Sequence, residues 1–189
     1  MIEFTLCGVR VTVSVWFAAF FCLLFAGQRT PQAGWFLYLL AHELGHAAAA
    51  AVCGEKPRAV GFYVGRVRMV GGALRTRRAQ LLISLSGPGV NLLLAGFFAL
   101  RKNTDAYAVN LLLAGFNLLP VRSLDGGAAL EALLPRRMAA ARADAVCRGI
   151  SLAVSLIVTT AGFWLMLRCR NPLLLMSGAL LVCGCFFGN

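Results

Sequence analysis

The two histidines of this chain, His42 and His46, lie four positions apart within an apolar stretch at residues 34–52. On a helix, residues at this spacing share one face, so both imidazoles can bind a single metal ion from the same side. Glu43 projects about 100° further round such a helix, which can bring its carboxylate beside a metal-activated water rather than onto the metal. The pattern predicts a hydrolytic metal site with His42 and His46 as ligands and Glu43 as general base. The alternative is that two polar side chains are packed in an apolar core by chance, although burying them there is costly.

A third metal ligand is predicted among the acidic residues, of which the chain has seven. Only Glu43 lies deep in an uninterrupted apolar run, and Asp125, beside a helix break and Gly126-Gly127, is the next best placed. A carboxylate at membrane depth needs a partner, and a divalent cation would serve Asp125 and two imidazoles together. Two nitrogens and one carboxylate oxygen leave one coordination position open, as in catalytic zinc sites. A competing role for Asp125, compatible with the first, is the N-cap of a helix at residues 128–134.

Hydrophobic residues make up 60% of the 189 positions and charged residues 13%, whereas soluble proteins have about 45–50% and 25%. The composition predicts an all-α polytopic membrane protein, a single transmembrane domain over residues 1–189 with its core at 34–134. Accessory spans are predicted on either side of that core, and the first is expected to be retained because no signal-type cleavage site follows it. The apolar runs predict about six transmembrane helices, at residues 11–27, 34–52, 79–100, 106–119, 149–167 and 172–187.

Two segments of the predicted core depart from plain apolar helix. Residues 58–74 interleave valines and aromatic residues with glycine and arginine, which predicts a short membrane-associated β-hairpin with its turn near Gly65-Arg66. The alternative for this segment is a loop that merely connects two spans. In the third span, Gly87-Pro88-Gly89 predicts a break or a kink, which would place a polar patch with Asn91 at mid-membrane depth.

The net charge of +11 arises from 18 basic and 7 acidic residues. Because the basic residues lie in short loops between spans, topology explains them better than nucleic-acid binding, which we exclude. Most of them fall on the side that holds the N-terminus, the segment at 54–78, Arg122 and the loop at 135–148. The positive-inside rule then predicts a multi-pass protein of the bacterial cell membrane with both termini in the cytoplasm. The seven cysteines form no CxxC pair and are interpreted as small apolar packing residues.

Three motifs together resemble the site-2 protease family of intramembrane zinc metalloproteases. They are the His42-Glu43-Leu44-Gly45-His46 stretch, Ser86-Gly87-Pro88 with Asn91, and Asn117-x-x-Pro120 followed by Asp125-Gly126. The resemblance extends over about half of the chain and implies a core of three spans with a membrane-embedded hairpin between the first two. It is closest to the compact type similar to the stage IV sporulation protease, which cleaves a membrane-tethered sigma-factor precursor. Unlike that type, residues 1–189 are expected to hold no C-terminal nucleotide-sensing (CBS) domain, and no PDZ domain is expected either.

The predicted function is cleavage of a peptide bond in a membrane-embedded or membrane-tethered protein, with a transcription-factor or sigma-factor precursor as a candidate substrate. One Zn²⁺ per chain is expected on His42, His46 and Asp125, while Glu43 exchanges the proton. Asn91 or Asn117 is a candidate for stabilising the oxyanion or positioning the substrate. The substrate would add as a strand to the hairpin. An inhibitory membrane partner or a homo-oligomer is a further expected interaction.

Two functions from other classes stay open at this point. A membrane metal-ion transporter would also place histidines and acids in its spans, although it usually needs a relay of polar groups along a path. A catalytically inactive homologue could act as an interaction protein, but Glu43 and all three predicted ligands are present.

Overall fold

The computed structural model describes residues 2–6, 9–13, 32–54, 57–63, 66–71, 76–134, 138–169 and 173–187. The chain divides into two compact units, Met1–Gly115 and Phe116–Asn189. The described strands are β1 Ile2–Leu6, β2 Val9–Val13, β3 Pro57–Tyr63 and β4 Arg66–Gly71. The described helices are α1 Gln32–Val52, α2 Arg77–Leu100, α3 Thr104–Asn117, α4 Asp125–Leu133, α5 Ala140–Cys169 and α6 Leu173–Phe187.

The strands form one mixed sheet in the order β1-β2-β3-β4. β1 and β2 are antiparallel, as are β3 and β4, while β2 and β3 run parallel with Val11 opposite Val60. Parallel neighbours need a crossover connection, and α1 lies within the chain that joins these two strands. The segment predicted as a hairpin, 58–74, contains most of β3 and all of β4. The association of this hairpin with the membrane stays a prediction. The choice between a membrane-associated hairpin and a loop that merely connects two spans also stays open.

The predicted all-α class is too narrow, because the N-terminal segment contributes two further strands. Residues 11–13 of the predicted span at 11–27 belong to β2, and residues 14–27 of it lie outside the described part of the chain. The physical reason is visible in the sequence of β2, Val-Arg-Val-Thr-Val, which alternates β-branched and polar residues with the period of a strand. Because an apolar run follows β2 in the sequence, part of β2 was assigned to the predicted transmembrane span.

Helix α2 carries the proline that was predicted to break or kink the third span. It begins after Thr76, whose hydroxyl accepts a hydrogen bond from the Ala79 amide at 3.1 Å. The helix continues across Pro88, so a break is absent. Pro88 has no backbone N–H, so it donates no hydrogen bond to the Ser84 carbonyl four positions earlier. In the turn before Pro88, the Ile83 carbonyl accepts from the Ser86 hydroxyl at 2.7 Å and from a histidine ring of α1.

Among the described helices, α2 and α5 are long and apolar enough to cross a membrane. Only 28% and 17% of their most apolar windows are buried within the protein, whereas the core helix of a soluble protein would be mostly buried. Their outward faces carry large apolar side chains, with Leu93 77% exposed on α2 and Ile157 67% exposed on α5. Such surface suits contact with lipid rather than water. The total of six spans stays a prediction.

The second unit has a small apolar core of its own. Val121 and Leu124 precede α4 in the chain and pack with Leu181 of α6. α5 and α6 approach closely because Gly178 faces the backbone of Thr159, where a Cβ atom would lie 2.7 Å from the threonine Cα. This core fixes the loop that leads into α4.

Candidate metal centre

The two histidines of α1 are buried and face the same point. His42 is 3% exposed and His46 8% exposed, and their Nε2 atoms are 3.2 Å apart. The ring planes are at 82° to each other. Two nitrogen ligands on a tetrahedral zinc ion, each about 2.0–2.1 Å from the metal, lie about 3.3 Å apart. The separation of the two Nε2 atoms therefore fits two ligands of one ion.

The Nδ1 atoms of both rings contact oxygen atoms of α2. His46 Nδ1 lies 2.7 Å from the Ile83 carbonyl oxygen, and His42 Nδ1 lies 2.6 Å from Oδ1 of Asn91. A carbonyl oxygen only accepts hydrogen bonds, so each Nδ1 carries the proton and donates it. In a neutral imidazole the other nitrogen then has a bare lone pair. Two lone pairs directed at each other over 3.2 Å repel, and a cation between them removes the repulsion. The donor set therefore fits a divalent metal.

Gly87 of α2 leaves the metal side of the two rings open. A Cβ atom at this position would overlap Nε2 of His46 and would lie 2.8 Å from Nε2 of His42. Gly45 of α1 has a related role, since a Cβ atom there would lie 2.8 Å from Val90 and 3.0 Å from the Ser86 carbonyl oxygen. The two glycines let α1 and α2 approach each other closely at the site.

Asn91 is fully buried behind His42. Its Oδ1 accepts from His42, and its Nδ2 donates to the Tyr38 carbonyl at 3.3 Å and to Oδ1 of Asn110 at 3.0 Å. Both kinds of polar atom are thus committed to the protein. The predicted role of Asn91 in stabilising an oxyanion or positioning substrate stays a prediction. In the structure its side chain contacts a predicted metal ligand, which is the common position of residues that orient metal-bound histidines.

Asp125 is the first residue of α4, which starts three positions earlier than the sequence predicted. The N-cap is Leu124, and no side chain caps this helix end. The competing N-cap role for Asp125 is therefore wrong. The helix can start at Asp125 because Gly126 and Gly127 follow it, where Cβ atoms would overlap the carbonyl oxygens of Leu118 and Val121. The carboxylate is partly buried in the first turn, where the helix dipole favours negative charge.

Contacts with α5 hold the loop that carries Asp125. The Arg122 amide donates to the Ser151 hydroxyl at 3.0 Å, and the Arg122 guanidinium lies 2.7 Å from the Asp144 carboxylate. Val121, the residue before Arg122, is fully buried. Sequence reasoning missed Ser151 and Asp144, since nothing local in the sequence pairs residues of α5 with a loop some thirty positions earlier. These contacts fix the backbone from which the carboxylate of Asp125 projects.

His42 and His46 lie in the first unit and Asp125 lies in the second. The binding of one ion by all three residues stays a prediction. Glu43 is partly buried next to His42 on α1, and Asn117 is partly buried at the end of α3. Their chemical roles stay predictions.

Comparison with known proteins gives two kinds of match, although no protein-family model matches the chain. "Putative zinc metalloprotease Rip3" from two strains of Mycobacterium tuberculosis is 35% identical over a 148-residue alignment that covers 66% of this chain and 38% of the relative. Among solved structures, the site-2 protease from Methanocaldococcus jannaschii matches with a TM-score of 0.72 at 20% identity, covering 97% of this chain and 93% of that chain. This chain is similar in sequence to the curated zinc metalloprotease and shares the fold of a solved site-2 protease.

Both matches support the resemblance to the site-2 protease family predicted from the motifs. The solved site-2 protease establishes the common fold, which extends over nearly the whole chain. The curated relatives are longer, and the alignment covers 38% of their length.

Proposed function

We propose that this chain is a member of the site-2 protease family and an intramembrane zinc metalloprotease, a metalloendopeptidase that cleaves membrane-embedded or membrane-tethered proteins. The observation that carries the proposal is the His42–His46 pair on α1. Its two Nε2 atoms lie 3.2 Å apart, and each ring is held through Nδ1. Asp125 is proposed as the third ligand. Three protein ligands leave a coordination position open for chemistry.

The chain's own residues supply the rest of the mechanism. His42, His46 and Asp125 would hold the ion, and Zn²⁺, when bound, supplies Lewis acidity that makes water nucleophilic and polarises a carbonyl oxygen. Glu43 takes the proton of the attacking water and returns it to the leaving amine. Its place directly after His42 on α1 supports this role, because one helical step separates it from a ligand. Asn117 is proposed to donate a hydrogen bond to the oxyanion or to position the substrate.

Substrate binding is proposed to use the mixed sheet. Within the described sheet, β1 and β4 each have a neighbour on one side only, so each offers an edge to an added strand. A peptide bond inside a helix is shielded by the helical backbone, and pairing with a sheet edge would hold the substrate extended through main-chain hydrogen bonds. We place this strand addition at the predicted hairpin, on β4.

The proposed setting is a multi-pass protein of the bacterial cell membrane with both termini in the cytoplasm. The apolar surfaces of α2 and α5 support the membrane location, and the distribution of basic residues supports the orientation. As substrate we propose the membrane-tethered precursor of a transcription factor or sigma factor, as in regulated intramembrane proteolysis. Sporulation is one process that the compact type of the family would serve, and an inhibitory membrane partner or a homo-oligomer would regulate it.

Coexpression with candidate membrane-tethered transcription factors tests this proposal. Cleavage is expected with the wild-type chain, and Glu43→Gln should lower its rate by about 10²–10⁴-fold, the usual contribution of a general base. Zinc binding should persist in Glu43→Gln because the amide keeps the shape of the side chain and the ligands are untouched.

The matched control is Glu131→Gln, which makes the same change at an exposed position of α4. It should cleave as the wild type does. Undiminished cleavage by Glu43→Gln would remove Glu43 from the mechanism, and zinc-independent cleavage by the wild type would overturn the metalloprotease assignment.

A further inference from the structure

Two fully buried asparagines connect a third helix to the metal centre. Asn91 of α2 and Asn110 of α3 are both 0% exposed. Asn110 Nδ2 donates to the Ala106 carbonyl at 2.9 Å, and Asn110 Oδ1 accepts from Asn91 Nδ2 at 3.0 Å. Asn91 Oδ1 in turn lies 2.6 Å from Nδ1 of His42. The result is a continuous hydrogen-bonded chain from the backbone of α3 to a predicted metal ligand.

The direction of every hydrogen bond in this chain follows from its far end. The Ala106 carbonyl can only accept, so Asn110 must turn its NH₂ group toward it and its oxygen toward Asn91. Asn91 must then present its NH₂ group to Asn110 and its oxygen to His42. The Tyr38 carbonyl, 3.3 Å from Asn91 Nδ2, favours the same orientation. Nδ1 of His42 is therefore the donor, and Nε2 is left to face the metal.

We propose that Asn110 is a positioning residue for the metal centre, which acts through Asn91 to fix the proton position and the ring orientation of His42. The inference rests on the metal site of the proposed function and extends it to a residue that does not touch the site. Flipping either amide would bring two acceptors or two donors together in a buried, low-dielectric environment, where an unpaired polar group is costly. Asn110 thus selects one of the two otherwise similar orientations of the Asn91 amide.

His46 provides an internal reference, because its Nδ1 donates to a backbone carbonyl, that of Ile83, instead of an asparagine. No amide flip can reverse that bond. A change at Asn110 should therefore disturb one of the two histidines and leave the other as it is. The chain contains no other histidine, so labelling with ¹⁵N-histidine reports on these two rings alone.

The experiment compares zinc affinity and histidine NMR spectra of zinc-loaded wild type and Asn110→Leu in detergent micelles. Leucine has a similar volume and no polar atoms. Replacing partners that hydrogen-bond directly to metal-bound histidines costs about 10- to 100-fold in affinity, and for Asn110, one bond further out, we expect zinc binding about 3- to 10-fold weaker. The Nδ1–H resonance of His42 should shift or broaden as its acceptor loses its fixed orientation, whereas that of His46 should not.

The matched control is Asn103→Leu, the same substitution at the start of the same helix. The Asn103 side chain accepts from the Ala106 amide at 3.1 Å, so this variant loses a helix cap but leaves the asparagine chain intact. It should lower thermal stability without changing zinc affinity or either histidine resonance. If Asn110→Leu fails to accumulate, Asn110→Ala removes the same amide without adding an apolar branch, and the same direction of change is expected.

Wild-type zinc affinity and an unshifted His42 resonance in both Asn110 variants would overturn the inference. Equal shifts of both histidines would also overturn it, because they indicate a general loosening of the site. A wild-type protein that binds no zinc would instead contradict the proposed function, so the two failures are distinguishable.

Discussion

The proton on each imidazole decides what the histidine pair can bind. Because oxygen atoms of Ile83 and Asn91 hold both Nδ1 atoms, both Nε2 atoms turn toward the same region, 3.2 Å apart. The space next to them exists only because residue 87 has no side chain. Metal binding is therefore expected to depend on the absence of a side chain at residue 87 as well as on the ligands.

Gly87→Ala is expected to weaken zinc binding by about 10-fold or more, comparable to the loss of a residue that supports a ligand. The added Cβ atom would overlap Nε2 of His46 and crowd Nε2 of His42. Equilibrium dialysis against zinc measures the effect. Gly89→Ala, two positions along the same helix, is the matched control, since a Cβ atom there would meet no atom of the described neighbouring residues within 4 Å. Equal zinc affinity of the two variants would show that residue 87 does not border the metal.

At the residue scale, spacing alone predicted the histidine pair, because four positions on a helix determine a shared face. Spacing could not assign Asn91. Its depth was predicted from the sequence, but its role depends on contacts with Tyr38 and Asn110, which are distant in the chain. A buried amide can serve as donor, acceptor or both, and only its neighbours decide which.

Among the elements, α2 combines two functions that place opposite demands on its surface. One face carries Ile83, Gly87 and Asn91 to the metal centre, while another exposes large apolar side chains such as Leu93. For a helix in water this exposed face would be unfavourable, but against lipid it costs nothing. A proline such as Pro88 is tolerated in a membrane helix where neighbouring groups satisfy the carbonyl that it frees.

Leu93→Lys tests whether the apolar face of α2 lies in lipid. A lysine near the centre of a membrane helix costs about 2.5–3.5 kcal/mol on insertion scales, and somewhat less a turn away from the centre. The variant should therefore reduce the membrane-inserted fraction of the chain, measured by resistance to alkaline extraction. Leu100→Lys is the control, since Leu100 is 85% exposed at the end of the same helix, beside Arg101. If both variants insert equally well, the central face of α2 does not contact hydrocarbon.

Sequence patterns gave the elements with uneven success. The long apolar runs at 79–100 and 106–119 correspond to α2 and α3 within two residues. The run at 149–167 belongs to the longer α5, which begins at Ala140. The first turns of α5 are amphiphilic rather than apolar, so the apolar run did not include them. β1 and β2 were missed since two five-residue strands are short, and their pairing with β3 joins segments distant in the sequence.

On the scale of the whole molecule, the predicted metal ligands come from chain segments that are far apart. His42 and His46 lie on α1, and Asp125 begins α4 after a loop whose residues Val121 and Arg122 contact other residues of the second unit. The sequence predicts Asp125 as a ligand from its depth in an apolar chain, and this stays a prediction. The anchoring contacts themselves were not predictable, because they join a loop to a helix that has no matching local signal.

The central claim is that three side chains of this chain hold one zinc ion. Metal analysis of the purified protein tests it most directly. The wild type should contain about one zinc per chain, and His46→Ala should contain none. Asp125→Ala should contain less zinc than the wild type because one ligand is lost, but some zinc should remain because both nitrogen ligands are kept. Zinc content that is absent from the wild type, or that is unchanged in His46→Ala, would contradict the account.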